Sequence, residues 1–560
     1  MRIARELNSG QLRINSVKKQ VGQPLAETFK FPPTRNSFMS GEVHDECAVA
    51  AVSLSKPLKE YPHGASAFYL YQMLLQMQNR GQLSAGITTY FPQRQQLIDT
   101  RKKLGAVNEV FSTNFKPKAD AIMHRYAGTK GIGHTRYSTS GGDDEGSAQP
   151  FERHHGRKWK WFSFAFNGNI ANFPELKAEL VKKQYHLVRN LDTELILHFL
   201  EKAQVGEQKI PLQDVFRGLS ERFDGAYNIV YIDAEGRLCA VRDPLGIRPL
   251  CFAEEDGFAG AGSESVSMAN IVDTPIKPIK PGEMMLSENG SVEVRRYAPS
   301  KKSAHCMFEW VYFANAASVI DNVSVYETRW KLGKELARQE KLRASGNDFI
   351  VVPVPDTAKP AADSYAHEMG LPAVEGLIRN RYVGRTFIES RERLEKVKQK
   401  FNINKEMIKG KKIILVDDSI VRGTTSKSLV EYLRDKGKVK EVHMRITCPP
   451  IRSPCFYGID MSTIGELVAN RLSSKAELER ASFEDMEESV VDKIAKEIGV
   501  DSLHYMDLEG LVKCIGIENG RKDLCMACLT GVYPTEYGQK LRVKALERHT
   551  SGLEAKRTYE

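Results

Sequence analysis

The chain has 560 residues, 41% hydrophobic and 27% charged, with a formal net charge of +10. At ~150 residues per domain it is built from two to four cores, and no apolar run approaches the ~20 residues of a membrane span. The excess of Lys and Arg is spread along the chain, so it does not argue for nucleic acid and is compatible with an anionic, phosphorylated substrate.

Residues 1–46 read as a polar, basic leader with Pro24, Pro32 and Pro33, and they lack the apolar core of a signal peptide. Nine cysteines without a secretion signal point to a reducing, cytoplasmic setting, not to a disulfide framework. From Cys47 to about Glu283, short β-rich runs (CAVAAVSL, FSFAFNGNI, AYNIVYID, RLCAVRD) alternate with a few helices, one of them over His63–Arg80. That mixture predicts a layered sandwich. The basic, aromatic run His154–Trp161 reads as a hairpin between two of its strands. Pro281-Gly282 marks a transition. Beyond it come a charged helix over Tyr326–Ala344, the strand FIVVPVP, a helix near Ala361, a strand at Ile413, a helix from Thr425 and the strand VHMRIT. Strands alternating with helices predict a parallel sheet with crossover helices. Ser474–Ile498 reads as one charged helical stretch, and residues 536–560 as a polar surface tail.

The most informative stretch is IILVDDSIVRGTTSKSL, Ile413 to Leu429. A buried-strand pattern feeds a Gly/Thr loop that opens a helix, where free backbone N–H groups and the helix dipole suit a phosphate. Asp417 and Asp418 stand where ribose hydroxyls, or a Mg²⁺ ion held by the ligand, need acceptors. The string resembles the phosphoribosyl-pyrophosphate (PRPP) loop of phosphoribosyltransferases, in the form found in the amidophosphoribosyltransferase family. The resemblance implies PRPP contacts from Asp417, Asp418, Ser419, Arg422, Gly423, Thr424, Thr425 and Ser426, with Mg²⁺ at the two aspartates.

Residues 47–290, entered through DECAV at Asp45–Val49, carry the segments QNRGQLSAGI, GHTRYSTSGG, AQPF, FNGNIAN, the Asp192-Thr193-Glu194 run and RDPLGIRPL. In order and spacing these resemble the N-terminal-nucleophile glutamine amidotransferases. The resemblance implies an αββα sandwich in which Cys47, exposed by removal of residues 1–46, attacks the glutamine side chain with its own α-amine as base. It further implies that Arg136 pairs with the substrate carboxylate, that Asn167 and Gly168 form the oxyanion hole, and that Asp192 holds the substrate ammonium. The chain departs from the family pattern at Ala48, Asn79, Leu83-Ser84 and Phe166.

Residues 291–535 resemble the type I phosphoribosyltransferase half of the same family, through CMFEWVYFANAAS, IDNVSVYETR, VPVPDTAKPAADSYA, NRYVGRTFI and CFYGID. Asp356, Thr357 and Lys359 match the loop on the pyrophosphate side, with Lys359 where relatives carry Gly. Arg381 and Arg385 belong to a segment that matches the loop closing over PRPP. Cys306, Cys455, Cys525 and Cys528 match the ligands of a [4Fe–4S] cluster in the iron–sulfur subgroup, and a Cys₄ zinc site uses the same donors. Cys239, Cys251, Cys448 and Cys514 carry no such pattern.

The implied reaction joins ammonia from glutamine to C1 of PRPP, giving 5-phosphoribosylamine, glutamate and pyrophosphate, the first committed step of purine biosynthesis. Purine nucleotides are the implied feedback inhibitors and a homo-oligomer, dimer or tetramer, the implied assembly. Neither nucleic acid nor membrane is an expected partner. The alternatives are an ammonia-dependent form with the leader retained, and a PRPP-sensing regulator.

Overall fold

The computed structural model describes residues 47–137, 144–344, 346, 348–380, 393–459, 461 and 463–553, the side chains of 393–396 excepted. These residues belong to one compact unit, Gly41–Glu560.

The strand Ala48–Leu54 is buried along its whole length because both of its faces are covered. Val49 and Ala51 point into a core shared with Ala165, Val230, Ala240 and Met285 of a second sheet. Ala48, Ala50 and Val52 point the other way, onto Leu70, Met73 and Leu74 of the helix Ser66–Gln76. The period of two that sends alternate side chains to opposite faces thus builds two cores from one strand. The strand lies inside a seven-stranded antiparallel sheet, which stacks on a six-stranded antiparallel sheet centred on Phe162–Ile170 and Gly225–Asp233. Phe162, Phe164 and Phe166 cover the outer face of the second sheet with the helices Asp192–Ala203 and Leu212–Ser220. The layers run helix, sheet, sheet, helix, as the resemblance implies. Ser291–Arg296 pairs with Glu283–Glu288, so this sheet extends past residue 290. The helix expected over His63–Arg80 is shorter. Gly64 and Ala65 take positive φ before it, and the Gln78 side chain turns aside to accept from Val107 N at 2.6 Å.

The second half is built on a four-stranded parallel sheet, Phe349–Pro353, Lys412–Asp417, Glu441–Ile446 and Ser502–Tyr505, with sequential strands adjacent. The first two strands carry continuous apolar runs, FIVV and IILV, because helices cover the sheet. The helices Val325–Arg338 and Lys359–Met369 approach closely at Gly333, where a Cβ would stand 1.9 Å from Ala361 O. The loops at the carboxyl ends of the first two strands, Val354–Thr357 and Asp418–Gly423, are where an open parallel sheet offers its ligand crevice.

Two expectations are corrected. Ser474–Ile498 is not one helix but two, Lys475–Glu479 and Glu488–Ile498. Between them, Arg452 draws the carbonyls of Ser482 and Glu484 out of helical bonding at 2.7 and 2.8 Å. Residues 536–550 are not a surface tail but a helix capped by Thr535, with Tyr537, Leu541 and Ala545 in the large core of the second half. Leu541→Ala is expected to cost about 2–5 kcal/mol of stability, read as a shift in the denaturant midpoint. A solvated tail would show no shift.

Candidate active site

The first site surrounds Cys47, the half-buried residue that leads into the strand Ala48–Leu54. Its pocket is lined by Cys47, Arg136, Ser147, Gln149, Phe166, Gly168, Leu191, Asp192 and Thr193. Arg136 ends the strand Lys130–Arg136, which pairs with the nucleophile strand through Thr135 and Ala48. Asn167 sits just outside the lining, and its Nδ2 donates to Ser263 Oγ at 3.4 Å. Gly168 has φ +149°, and a Cβ there would stand 1.9 Å from Ala226 O. Only glycine keeps this peptide in place.

Asp192 opens the helix Asp192–Ala203 and accepts from Ile170 N at 3.1 Å. Burial pushes its carboxyl up to about 7. A pocket lined by both a guanidinium and a desolvated carboxyl suits an α-amino acid. The neighbouring backbone is fixed by two side chains absent from the sequence-based site. Gln149 brackets Phe166, accepting from its N at 2.7 Å and donating to its O at 3.3 Å. His134 Nε2 donates to the same carbonyl at 3.1 Å, and burial pushes its imidazole down to about 3. That places His134 as a neutral structural residue, not a base.

The second site is a cavity of ≈ 500 Å³ at the carboxyl end of the parallel sheet. Asp417, Asp418, Ser419, Gly423, Thr425, Ser426, Asp356 and Thr357 line it. Gly423 has φ +76° and turns the chain into the helix Thr424–Tyr432, whose N-terminus is thereby turned to the cavity. The two loops lock together at Asp418: the Thr357 hydroxyl donates to its Oδ2, and Ser419 Oγ donates to its Oδ1 at 2.9 Å.

Three of the expected contacts fall outside this lining. Arg422 is buried and pairs with Glu466 at 3.5 Å, Thr424 is not part of the lining, and Lys359 pairs with Glu375 on the surface. Arg381 and Arg385 lie outside the described residues. The cavity has cations that motif reading missed: Arg329, Arg379 and Lys400. Arg329 carries a sequence signal, since it stands on the apolar stripe Val325, Leu332, Leu336 of its helix. A charge on a buried face is a candidate for a site. Asn79 and Gln82, from the first half of the chain, line the same cavity. Nothing local to QNRGQ signals that reach.

A third grouping is made of cysteines. Cys306 and Cys525 are in register on two short parallel strands. Cys528 lies one turn on, and its carbonyl accepts from Arg452 N and Ser453 N at 2.9 and 3.0 Å. Cys306, Cys455, Cys525 and Cys528 are all buried, and the neighbouring thiols add to burial in holding the Cys528 thiol well above its usual value. Among the described residues, no three of His, Cys, Asp or Glu converge as ligands of a metal ion.

Residues 134–270 match the family model for a glutamine amidotransferase domain, and residues 323–451 that for a phosphoribosyl transferase domain. The chain is 39% identical over 501 residues to the amidophosphoribosyltransferase of Methanothermobacter thermautotrophicus, covering 88% of this chain and 95% of that one. With the Bacillus subtilis amidophosphoribosyltransferase it shares 32% over 504 residues, 89% of this chain and 96% of that one. The solved glutamine PRPP amidotransferase from B. subtilis, complexed with ADP and GMP, superposes with a TM-score of 0.74 at 31% identity, over 88% of this chain and 98% of that chain. A thiol pocket lined by Arg136 and Asp192, a cavity at the carboxyl end of the parallel sheet and relatives matched across both halves lead to one conclusion: the chain belongs to the amidophosphoribosyltransferase family, and its reaction is the glutamine-dependent amination of PRPP in purine biosynthesis.

Proposed function

We propose that removal of residues 1–46 exposes Cys47, whose thiolate attacks the glutamine amide carbon while its new α-amine, with a pKa of ~8, carries the proton. Arg136 takes the substrate carboxylate and Asp192 its ammonium, and Asn167 and Gly168 donate to the developing oxyanion. The ammonia released displaces pyrophosphate from C1 of PRPP, which lies over Asp417–Ser426. The single observation that carries this reading is the cavity itself: Asn79 and Gln82 of the glutaminase half line it together with Asp417 and Asp418.

Asp417 and Asp418 are the residues that would hold Mg²⁺, which supplies charge neutralisation at the departing pyrophosphate when bound. Cys306, Cys455, Cys525 and Cys528 would hold the [4Fe–4S] cluster. Their donor type and shared burial support it, and the cluster would supply a cross-link between distant segments. Purine nucleotides as inhibitors are supported by the B. subtilis relative complexed with ADP and GMP. Among the described residues no helix is long and apolar enough to cross a membrane. The cytoplasmic assignment rests on the reducing setting that free cysteines need, and a homo-oligomer remains the expected assembly.

Cys47→Ala is expected to lower glutamine-dependent amination by more than about a thousandfold and to leave ammonia-dependent amination in place. Equal loss of both activities would refute the assignment. N-terminal sequencing of glutamine-using enzyme is expected to begin at Cys47, and an intact Met1 would overturn the mechanism in favour of another base.

The pH dependence has a definite sign. Protonation of Asp192, near about 7 in the free pocket, competes with the substrate ammonium. The KM for glutamine should therefore rise about tenfold for each pH unit below 7. Asp192→Asn should give a high KM without that slope, and a wild-type KM that is flat from pH 5.5 to 8 would remove Asp192 from the ammonium site.

Anaerobically purified protein is expected to contain iron and acid-labile sulfide in equal amounts, with visible absorbance lost in Cys528→Ser. Zinc without sulfide would sink the cluster.

A further inference from the structure

At the end of the sandwich away from Cys47 lies a further cavity, of ≈ 230 Å³, lined from both sheets. Tyr90 and Lys130 come from the seven-stranded sheet. The six-stranded sheet contributes two hairpin turns, Glu235–Arg237 and Asn289-Gly290. Lys130 begins the strand whose other end carries Arg136 into the glutamine pocket. A rise of ~3.3 Å per residue puts roughly 20 Å between the two. No residue lining this cavity lines the glutamine pocket or the PRPP cavity.

Its lining is rich in cations. Lys130, Lys209 and Arg237 stand there with a single carboxylate, Glu235, which pairs with Lys209 at 2.5 Å. Arg237 is buried. Its Nε donates to Asp233 Oδ2 at 2.6 Å and its Nη1 to Ile210 O at 3.1 Å, while its buried Nη2 has no hydrogen-bond partner. A buried donor left over in this way is the mark of a missing ion or water. Lys130 reaches from one sheet to the other. Its Nζ donates to Gly236 O at 2.8 Å and to Ser287 O at 3.3 Å, both neutral acceptors. An ammonium has three N–H donors, so one is unspent. Among the described residues Lys130 pairs with no carboxylate. The pull of Asp233 and Glu288 does not offset its burial, which pushes the ammonium down to about 8.

We propose that this cavity binds a phosphate group, free or at the end of a small ester, through the unspent N–H of Lys130, with the Arg237 guanidinium behind it as a second positive charge. Counting Asp233 with the lining, three cations face two anions, so the cavity lacks one negative charge. The cradle is already formed. Gly236 has φ +81°, and a Cβ there would stand 2.5 Å from the Tyr90 ring, so the turn that holds Lys130 is packed in place. A site that needs no rearrangement saves the cost of ordering its own groups. The volume is that of several waters at ~30 Å³ each, room for a phosphate with part of its hydration or a short ester tail.

The test follows the thermal midpoint of the full-length enzyme against inorganic phosphate at fixed ionic strength, in wild type, Lys130→Met and Glu235→Gln. Phosphate held in the PRPP cavity contributes alike to all three, so their differences report this cavity. Ammonia-dependent amination of PRPP should stay at the wild-type level in both variants, which shows that the PRPP cavity is intact. Lys130→Met removes a charge-assisted bond, and should weaken the Lys130-dependent phosphate binding about tenfold or more. Glu235→Gln removes the one carboxylate of the lining and releases Lys209, and should tighten binding about two- to fivefold. Glycerol 3-phosphate in place of phosphate separates the two sources: a Lys130-dependent shift with both assigns the site to monoesters, and a shift with phosphate alone assigns it to the free ion. Three superimposable phosphate titrations would overturn the inference. Should Lys130→Met fail to fold, Glu235→Gln that binds phosphate no more tightly than wild type would overturn it alone.

Discussion

The structure depends on a quartet of buried charges. Arg80, Arg248 and Glu264 come from the glutaminase half and Glu309 from the phosphoribosyltransferase half, each about 1% exposed. Arg80 pairs with both carboxylates, and Arg248 pairs with Glu309 while donating to Tyr457 O at 2.8 Å. Within the quartet two cations face two anions. Taking away one member would strand its partner, at a cost of about 3–5 kcal/mol. An apolar interface tolerates sliding, whereas planar guanidinium forks do not. The two halves are therefore held in register as well as in contact.

That register explains how the two pockets share parts. Gly81 follows Arg80, and a Cβ on it would stand 2.7 Å from the Arg136 carbonyl carbon. The turn that carries Arg80 thus presses directly on the residue that lines the glutamine pocket, while Asn79, one residue back, reaches the PRPP cavity. On the opposite side, Asn169 donates to Phe456 O at 2.9 Å, and a Cβ on Gly458 would meet the Gly168 backbone at 3.0 Å. Cys455 precedes this contact by one residue. Cys455 therefore lies close in the chain to the segment that packs on the Gly168 peptide. Small residues at both contacts are what the close approach of the two halves requires.

The chemistry needs that economy of distance. Ammonia is neutral, small and lost to bulk water, and PRPP is an activated sugar that water would consume. Housing both reactions in one compact body makes the nucleophile local to its electrophile.

Local pattern carried much of this. The strand, loop and helix of Ile413–Leu429 announce a phosphate site because backbone donors and acidic acceptors are contiguous there. The glutaminase segments likewise keep each pocket residue beside its own motif. Side-chain periodicity foretold both layered halves, because a period of two or of 3.6 is a property of neighbours in the chain. Other features were invisible for the converse reason. The helix after Thr535 looked like a tail because its apolar face is narrow, Tyr537, Leu541 and Ala545 with Leu546 at its edge. The break at Ser482–Glu484 is imposed by Arg452, thirty residues earlier in the chain. Lys359, plausible beside a polyanion, is drawn outward by Glu375. Asn79 and the quartet join a cavity or an ion pair only once segments 61 or more residues apart have met. Most of the residues that line the two pockets were written into short motifs. How the two chemistries are held together was decided in three dimensions, because a buried charge is stable only beside partners that folding supplies.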